Sequence, residues 1–600
     1  MGEPKENVLM EKIVSLCKRR GFIYQSSEIY GGINGFWDYG PLGAELKRNL
    51  REAWWNAMMR EREDVVGLDA SIIMHRAVWK ASGHEDTFAD PMSTCKHCKK
   101  LIRSDQWWTL MGEQPWVQSL AALAEPGSNQ FHAGELLKWA KGKGKQLAPG
   151  LALVRNPEVT LSWLVQDLEK GKRPADAREF YLYLATEQPV ATGFITPCPH
   201  CGGELTAPRP FNLMLKTHTG PIESDENLAY LRPETAQAIF VQFKNVMDSS
   251  RVRVPFGIGQ IGKAFRNEIT PRNFTFRSRE FEQMELEFFI PPDEAVRIIH
   301  GSVAEWREGA DLSEPQLNWG WELWHRYWVA QRTQFYHRIG LGADVLDFHW
   351  QKKDELAHYA KACVDILCKF PFGTEELEGI AARGNFDLTQ HQKHSGKSLE
   401  IFDEELRAAA VKLTEEQKRE FVAKVQEEWN DRNQSREEAA LFCEKLFRGA
   451  YVPHVIEPSA GLDRLALAIL CAAYHEEQKT DVNGKVEQRT VLRFHPRVAP
   501  IKVGVFPLLK NKPDLVAKAR GVFHLLKKHL HCFYDEGGAI GRRYARQDEA
   551  GTPFCVTIDF DTLGEKPELL DTVTLRHRDD GRQERLRIDE LLARLLEQVR

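Results

Sequence analysis

The sequence predicts an α+β protein with an antiparallel-sheet core and an α/β domain at its C-terminal end. Residues 264–268 and 279–289 each alternate apolar and polar side chains around a polar segment, so we expect two antiparallel strands joined by a long loop. From residue 499 onward, strand-like runs alternate with helical patterns over about 100 residues, which favours a separate domain with a mainly parallel sheet.

The composition is that of an ordinary multidomain protein. Its 600 residues suffice for several domains, and the net charge of -5 excludes a strongly basic or acidic chain, so any contact with nucleic acid must use a local basic surface. No run of about 18 apolar residues exists and the first residues lack a signal-peptide core, so we expect no membrane segment. Eleven cysteines are too sparse for a disulfide scaffold, which predicts the reducing cytoplasm.

Helical patterns occur on both sides of the predicted hairpin. Apolar residues fall on one side of helices at residues 8–20 and 46–61, and a strand follows at residues 65–74. Residues 293–368 are aromatic and are predicted to be largely helical. Residues 400–447 form a charged helical segment, for which a solvated helical pair is the simpler interpretation.

The predicted hairpin carries many charged side chains. Its guanidinium groups, which suit phosphates, belong to Arg266, Arg272, Arg277 and Arg279. Its carboxylates belong to Glu268, Glu280, Glu282, Glu285 and Glu287. A solvated hairpin could carry such charges for solubility alone, but the alternation of large apolar residues with these carboxylates argues against that alternative.

Two CxxC pairs indicate a metal site. They are Cys95 with Cys98 and Cys198 with Cys201, and Gly202 and Gly203 after the second pair allow a tight turn. Four thiolates can hold one zinc ion in tetrahedral geometry. Residues 99–197 separate the pairs, which is longer than in a simple zinc ribbon, so four free thiols or a lost metal remain the alternative.

The hairpin resembles motif 2 of the class II aminoacyl-tRNA synthetases. FRNE, a loop and then FRSREFEQMELEFF match its form in the dimeric, single-chain glycyl-tRNA synthetases. The resemblance implies a homodimer that binds ATP, glycine and tRNA(Gly), with motif 1 at residues 41–74 forming part of the dimer interface. It also implies a catalytic core at 1–103 and 197–498, with a helical insertion at about 400–447, an insertion module at 104–196 and an anticodon-binding domain at 499–600.

The same resemblance assigns the amino-acid site. Leu231 to Gln237, LRPETAQ, is similar to the family's substrate-pocket signature, and residues 455–465, VIEPSAGLDRL, are similar to motif 3. Glycine's ammonium group is expected to meet Glu234, Glu285, Glu457 and Ser459. The full predicted substrate set is Arg103, Glu234, Phe281, Glu282, Gln283, Met284, Glu285, Glu457, Pro458, Ser459, Ala460 and Gly461.

The resemblance also assigns the ATP site. Arg266 is expected to bind the α-phosphate and the amino-acid carboxylate, Phe281 to stack on adenine and Glu268 to meet its amino edge. Arg464 and Arg277 would hold the outer phosphates, and Glu376 would face Mg²⁺. The full predicted set is Arg266, Asn267, Glu268, Phe276, Arg277, Ser278, Arg279, Glu280, Phe281, Glu376, Leu377, Gly461, Leu462, Asp463 and Arg464.

Three arginines of the C-terminal domain are candidate tRNA contacts. Arg542, Arg543 and Arg546 lie in a segment similar to the anticodon-binding domain of this family, although ordinary surface charge is the alternative. Two rival functions remain for the whole chain. A synthetase of another specificity would lack the LRPETAQ and EPSAG pair, and a non-enzymatic paralogue would have lost Arg266, Arg277 or Arg464.

Overall fold

The computed structural model describes residues 5–123, 133–151, 197–357, 360–430, 435–480 and 486–599. They form two compact units, Gly83–Leu213 on the one hand and Met1–Ser82 with Met214–Arg600 on the other. The predicted insertion at 104–196 falls within the range of the smaller unit, but residues 124–132 and 152–196 lie outside the described residues. The predicted domain boundaries therefore stay a prediction.

A mixed sheet of seven strands forms the centre of the larger unit, among the residues described. Its strands, in spatial order, are Leu346–Trp350, Ala362–Phe370, Gly373–Gly384, His454–Gly461, Glu280–Ile290, Phe256–Phe265 and Val65–Gly67. Every neighbouring pair is antiparallel except the last, which is parallel. The antiparallel core that the sequence predicts is confirmed.

The predicted hairpin is the pair of strands Phe256–Phe265 and Glu280–Ile290, in a register that joins Phe256 to Phe289. Its first strand begins earlier than predicted, because glycines at 257, 259 and 262 conceal the alternation. Side chains on one face of the second strand enter the core, where Phe288 lies 5.0 Å from Trp324 between ring centroids. The aromatic helix Trp321–Arg338 is therefore core, as its spacing predicts.

Helices surround this sheet on both faces. In the described part of the larger unit before the C-terminal sheet, they are Lys5–Arg20, Pro41–Trp55 continued by the π-helical turn Asn56–Arg60, Arg76–Ala81, Ala236–Ser250, Asp293–His300, Trp321–Arg338, Phe386–Ser395, Glu404–Val411, Glu415–Asn430, Arg436–Phe447 and Leu462–Ala473. The predicted helices at 8–20, 46–61 and within 400–447 are confirmed.

Small sheets complete the larger unit. They pair Ile23–Gln25 with Trp37–Tyr39, Ile401–Phe402 with Ala450–Tyr451, Tyr474–Thr480 with Val486–Leu492, and Leu228–Leu231 with both Ile73–His75 and Lys216–His218.

Two predictions of secondary structure are wrong. Residues 362–370 form a strand rather than part of a helical region, because Val364, Ile366, Cys368 and Phe370 are buried in alternation. The predicted strand at 65–74 is two strands in different sheets, Val65–Gly67 and Ile73–His75. The chain between them leaves the central sheet, and the carbonyl of Ala70 accepts a bond from Arg232 instead of a neighbouring strand.

The C-terminal domain is an α/β domain with a mixed sheet. Its strands are ordered Cys532–Tyr534, Val503–Pro507, Phe554–Ile558, Thr572–His577 and Gln583–Arg587, and its helices are Pro513–Lys527, Ile540–Ala550 and Ile588–Val599. The first two pairings are parallel and the last two antiparallel. The prediction of a mainly parallel sheet is wrong, because the last two strands form a hairpin that a strand–helix pattern does not anticipate.

The smaller unit combines short strands with short helices. Its strands Leu101–Arg103, Ala89–Thr94 and Arg209–Asn212 form one sheet, and its described helices are His84–Thr87, Trp107–Gly112, Pro115–Ala121, Ala133–Lys141 and Lys143–Leu147. All four cysteines of the CxxC pairs belong to this unit. In neither unit is a described helix both long and apolar enough to cross a membrane.

Candidate active site

A cavity of about 450 Å³ opens on the central sheet of the larger unit. Strands Glu280–Ile290, His454–Gly461 and Gly373–Gly384 contribute its floor, and the loop between the hairpin strands contributes one wall. Most residues predicted for ATP and substrate line it. They are Arg266, Glu268, Phe276, Arg277, Ser278, Phe281, Gln283, Glu376, Leu377, Glu457, Ser459, Ala460, Gly461, Asp463 and Arg464.

Three arginines define one end of the cavity. Arg266 donates from Nε to the carbonyl of Pro233 at 3.0 Å, and Arg464 donates to the Glu376 carboxylate at 3.1 Å. The Arg277 guanidinium lies 2.9 Å from the Glu268 carboxylate. Guanidinium forks held in this way present fixed positive charge, which suits phosphate oxygens.

Aromatic rings support two of these arginines. The guanidinium carbon of Arg266 lies 5.3 Å from the centre of the Phe281 ring, and that of Arg464 lies 4.6 Å from the Phe276 ring. Such cation–π contacts favour one orientation of a long side chain. Neighbouring carbonyl, carboxylate and aromatic groups therefore hold the arginines at this end of the cavity in fixed orientations.

Buried carboxylates lie at the other end, where Glu457 and Ser459 line the cavity and Glu285 lies directly behind Ser459. Glu285 accepts hydrogen bonds from the hydroxyl groups of Thr235 and Ser459, the latter at 2.8 Å, and Glu457 accepts one from Arg383 at 2.7 Å. Burial raises the pKa of Glu285, and the charge of Glu234 raises it further. A small cation brought to this end would meet oriented oxygens in a site of low dielectric, where charge pairing is strong.

The segment that carries Glu234 is held by Arg232. This buried arginine donates to the carbonyls of Lys263 and Ala70 at 2.7 and 2.9 Å. A Cβ on Gly262 would overlap its guanidinium group, so the strand needs a glycine at this point. Thr235 then donates its N–H to Gln283 at 3.2 Å, which ties the segment to the cavity floor.

Comparison with known proteins identifies the family. A family model described as an anticodon-binding domain matches residues 502–598. A glycine–tRNA ligase of Rhodopirellula baltica is 43% identical over 98% of this chain and 98% of its own length. Those of Thermus thermophilus and Treponema denticola are 42% and 40% identical, over 98% and 99% of this chain and 99% and 98% of their own lengths. This chain belongs to the glycine–tRNA ligase family. It is therefore an aminoacyl-tRNA synthetase.

Several predicted residues of this glycine–tRNA ligase family member lie outside the cavity lining. Among the described residues these are Glu234, Asn267, Arg279, Glu280, Glu282, Met284, Glu285, Pro458 and Leu462. Glu282 and Met284 point to the opposite face of their strand, because successive side chains of a strand alternate. Met284 is buried in the core, and Glu282 binds Arg51 and Lys47 at 2.6 and 3.1 Å.

Other predicted side chains are bound by protein groups. Arg279 donates to the carbonyls of Glu268 and Asn34 at 2.8 and 2.9 Å, which fixes the hairpin loop. Asp463 lines the cavity, but its oxygens accept bonds from Lys47 at 2.8 Å and from the Glu282 N–H at 2.7 Å. These contacts connect the helix Pro41–Trp55 with the hairpin and with the helix Leu462–Ala473.

Arg103 belongs to the smaller unit. Its guanidinium pairs with Asp90 at 3.1 Å and with Asp105 at 2.6 Å. Its predicted contact with the substrate stays a prediction.

Sequence reasoning missed several residues of this site, and two of them, Arg383 and Asp365, are charged groups that bear on its carboxylates. Arg383 holds Glu457 and also the buried Asp387 at 2.9 Å, yet no motif marks it. Asp365 lines the cavity on the strand that was expected to be helical. A Cβ on Gly379 would lie 3.6 Å from a Glu376 oxygen and 3.8 Å from an Asp365 oxygen, so both carboxylates reach the same place. Two hard oxygen donors beside a phosphate site fit Mg²⁺.

The four cysteines of the CxxC pairs converge in the smaller unit. The Sγ atoms of Cys95 and Cys201 lie 3.6 Å apart, those of Cys98 and Cys198 lie 3.7 Å apart, and all four lie within 4.8 Å of one another. Tetrahedral zinc with bonds of about 2.3 Å separates its sulfur ligands by about 3.8 Å. The donor set therefore fits a structural zinc ion.

Proposed function

We propose that the cavity activates glycine with ATP to form glycyl-adenylate and then transfers glycine to the 3′ end of tRNA(Gly). The observation that carries this assignment is the division of one cavity into an arginine end and a buried carboxylate end. The first suits a nucleotide and the second suits an ammonium group. Membership of the glycine–tRNA ligase family supports the same reaction.

In the first step, a carboxylate oxygen of glycine attacks the α-phosphorus of ATP and pyrophosphate leaves. No protein nucleophile is needed, so positioning and stabilisation of charge carry the rate. Arg266 binds the α-phosphate and the glycine carboxylate, and Arg464 with Arg277 holds the outer phosphates. Phe281 stacks on adenine and Glu268 accepts from its amino group. In the second step, the terminal hydroxyl of tRNA attacks the glycyl carbonyl and AMP leaves.

Glu376 and Asp365 would hold the Mg²⁺ that synthetases use with ATP. The ion would neutralise charge on the phosphates when it is bound. The Glu376 carboxylate also accepts a hydrogen bond from Arg464, so the same carboxylate would contact both this guanidinium group and the Mg²⁺ ion.

Glu234, Glu285, Glu457 and Ser459 select glycine. Their oxygens match its ammonium group, and selection requires that the space beside them exclude a β-carbon. Every competing amino acid is larger, so exclusion by overlap needs no second, editing site.

The remaining parts serve the tRNA and the stability of the enzyme. Residues 499–600 bind the anticodon region of tRNA(Gly), a role that the anticodon-binding match at 502–598 supports. Zinc at the four cysteines stabilises the smaller unit. Two copies of the chain form the working enzyme in the cytoplasm.

Transfer of labelled glycine to purified tRNA tests the proposal. Glycine should become acid-precipitable with tRNA(Gly) and not with tRNA(Ala), in a reaction that needs ATP. A protein that binds tRNA(Gly) but transfers no glycine would favour the non-enzymatic rival. Transfer of a different amino acid to its own tRNA would favour a synthetase of another specificity.

A further inference from the structure

Glu287 is a buried carboxyl group that the proposed reaction does not use. It follows Glu285 by two residues, so both side chains point to the same face of the strand. The register that joins Glu285 to Ser459 and Phe288 to Ile456 puts Glu287 opposite Glu457. One carboxyl oxygen from each of the three glutamates lies within 4.8 Å of the others.

The Glu287 carboxyl group has no donor. The side chain is fully buried, and no N–H or O–H group of the described residues reaches either of its oxygens. An ionised carboxylate in that state is strongly disfavoured, because it has lost its hydration without gaining a partner. A neutral acid avoids this cost and supplies an O–H that can itself donate.

The groups that face Glu287 come from several elements. Its own strand supplies Glu285, the adjacent strand supplies Glu457, and the helix Phe386–Ser395 supplies Asp387. Arg383 is the cation among them, and it already donates to Glu457 and Asp387. Burial raises the pKa of Glu287 well above its usual value, and the Glu457 charge raises it further. Burial also raises the pKa of Glu457, to about 8, although Arg383 favours its ionised form. Glu287 accepts no hydrogen bond from the described residues, so of the two glutamates it is the one that keeps its proton to higher pH.

We propose that Glu287 is a protonated carboxylic acid whose O–H donates to Glu457 and orients that carboxylate toward the ammonium group of glycine. It is a positioning residue, and this role rests on the proposed function of the cavity. Like carboxylates opposite each other on neighbouring strands repel, so the shared proton also allows the two glutamates to lie side by side.

Glutamine and methionine at position 287 distinguish this role from simple filling of space. Glu287→Gln keeps a neutral donor of the same shape and should leave the glycine KM in ATP–pyrophosphate exchange within about 2-fold of wild type. Glu287→Met keeps the volume without a donor and should raise that KM by about 10-fold, with the KM for ATP and the melting temperature unchanged. If Glu287 only filled space, glutamine would not preserve the glycine KM better than methionine does.

The pH profile gives a second readout. The ratio of the glycine KM of wild type to that of Glu287→Gln should rise as the pH is raised, because only the wild-type residue can lose its proton and glycine's own titration cancels in the ratio. Glu294 on the helix Asp293–His300 is a matched buried glutamate, and Glu294→Gln should leave the ratio flat. A wild-type glycine KM in Glu287→Met, or a flat ratio for Glu287→Gln, would overturn the role.

Infrared difference spectroscopy separates this inference from the proposed function. The spectrum of wild type minus Glu287→Gln at neutral pH should contain a carboxylic-acid C=O band, whether or not the protein exchanges pyrophosphate with glycine. Only a carboxylate band in that spectrum would refute the protonated state. Wild-type protein that fails to react with glycine would refute the proposed function alone.

Discussion

At the scale of single residues, Glu285 is a firmly oriented carboxylate directly behind the cavity lining. Its two oxygens accept from two hydroxyl groups on different segments, Thr235 before the helix Ala236–Ser250 and Ser459 on the adjacent strand. Because both of its oxygens are already hydrogen-bonded, the Glu285 side chain loses little conformational entropy when a ligand binds. This makes Glu285 the residue whose loss should affect glycine most directly.

We expect Glu285→Ala to raise the glycine KM in ATP–pyrophosphate exchange by at least about 10-fold, because one charge-assisted hydrogen bond to the ammonium group is lost. The space that opens should also weaken the rejection of alanine. Glu294→Ala removes a buried carboxylate from the helix Asp293–His300, outside the cavity lining, and should leave both parameters near wild type. Unchanged glycine-dependent exchange in Glu285→Ala would refute the assignment.

Adjacent arginines of the C-terminal domain have different roles. Arg543 is buried and donates to the carbonyls of Leu508 and Gly538 at 3.1 Å each, so its predicted contact with tRNA is contradicted. Arg546 pairs with Asp535, whereas Arg542 is exposed.

Arg543→Ala should therefore lower the free energy of unfolding by about 2 kcal/mol, since buried carbonyls lose their donor. Arg542→Ala should instead raise the KM for tRNA about 3- to 10-fold and leave pyrophosphate exchange unchanged. Denaturant titration and aminoacylation measure the two effects, with the exposed Arg594→Ala as control. Equal stability losses in both variants, with no change in the KM for tRNA, would contradict this division.

The sequence predicted correctly only some of the motif 2 residues that line the cavity. The resemblance supplied a contiguous run, Phe281 to Glu285, but a strand offers only alternate side chains to one face. Phe281 and Gln283 line the cavity and Glu285 lies on the same face of the strand, so applying the rule would have excluded Glu282 and Met284. Arg383 and Asp365, which the sequence did not mark, come from strands distant in sequence, and their role depends on pairing that no local pattern encodes.

At the scale of elements, the two CxxC turns are the clearest case of distant segments that meet. Cys95 and Cys98 follow the strand Ala89–Thr94, and their thiols meet those of Cys198 and Cys201 in the core of the smaller unit. A zinc ion there would join two parts of the chain that share little regular structure.

We expect purified protein to contain one zinc per chain by elemental analysis. Cys98→Ser should lose the metal and lower the melting temperature of the smaller unit by at least about 5 °C, because binding free energy of a structural zinc ion is folding free energy. Cys532→Ala, in the C-terminal sheet, should keep the metal. Full stability of Cys98→Ser without zinc would favour the thiol-only alternative.

The prediction of elements succeeded where the pattern was local. The helix Pro41–Trp55 and the helices within 400–447 follow from apolar spacing, and the hairpin follows from alternation. Residues 362–370 were misassigned because their aromatic and charged surroundings resemble a helix, whereas the pairing of the strand at both of its edges depends on residues outside that local pattern.

At the scale of the whole molecule, apolar side chains are exposed near and within motif 1. Ile29 and Tyr30 are 88% and 87% exposed, and Ile73 is 47% exposed. Exposed apolar groups that lie close in sequence favour an interface between subunits. Ile73 belongs to the segment assigned to the dimer interface and Ile29 and Tyr30 precede that segment, which supports the proposed homodimer.

Light scattering should therefore give twice the chain mass of 68.8 kDa. Tyr30→Asp should shift the protein toward the monomer, because a charge would be buried in the interface. Leu317, which is 85% exposed outside motif 1, provides the control Leu317→Asp. A monomeric wild type would contradict the proposal.

The central claim is that the carboxylate end of the cavity admits glycine and rejects anything larger. ATP–pyrophosphate exchange with glycine, alanine and serine tests it most directly, because that reaction reports the activation step without the transfer to tRNA. The account predicts exchange with glycine and a kcat/KM for alanine lower by at least about 100-fold. Exchange that is absent with glycine and present with a bulkier amino acid would contradict it.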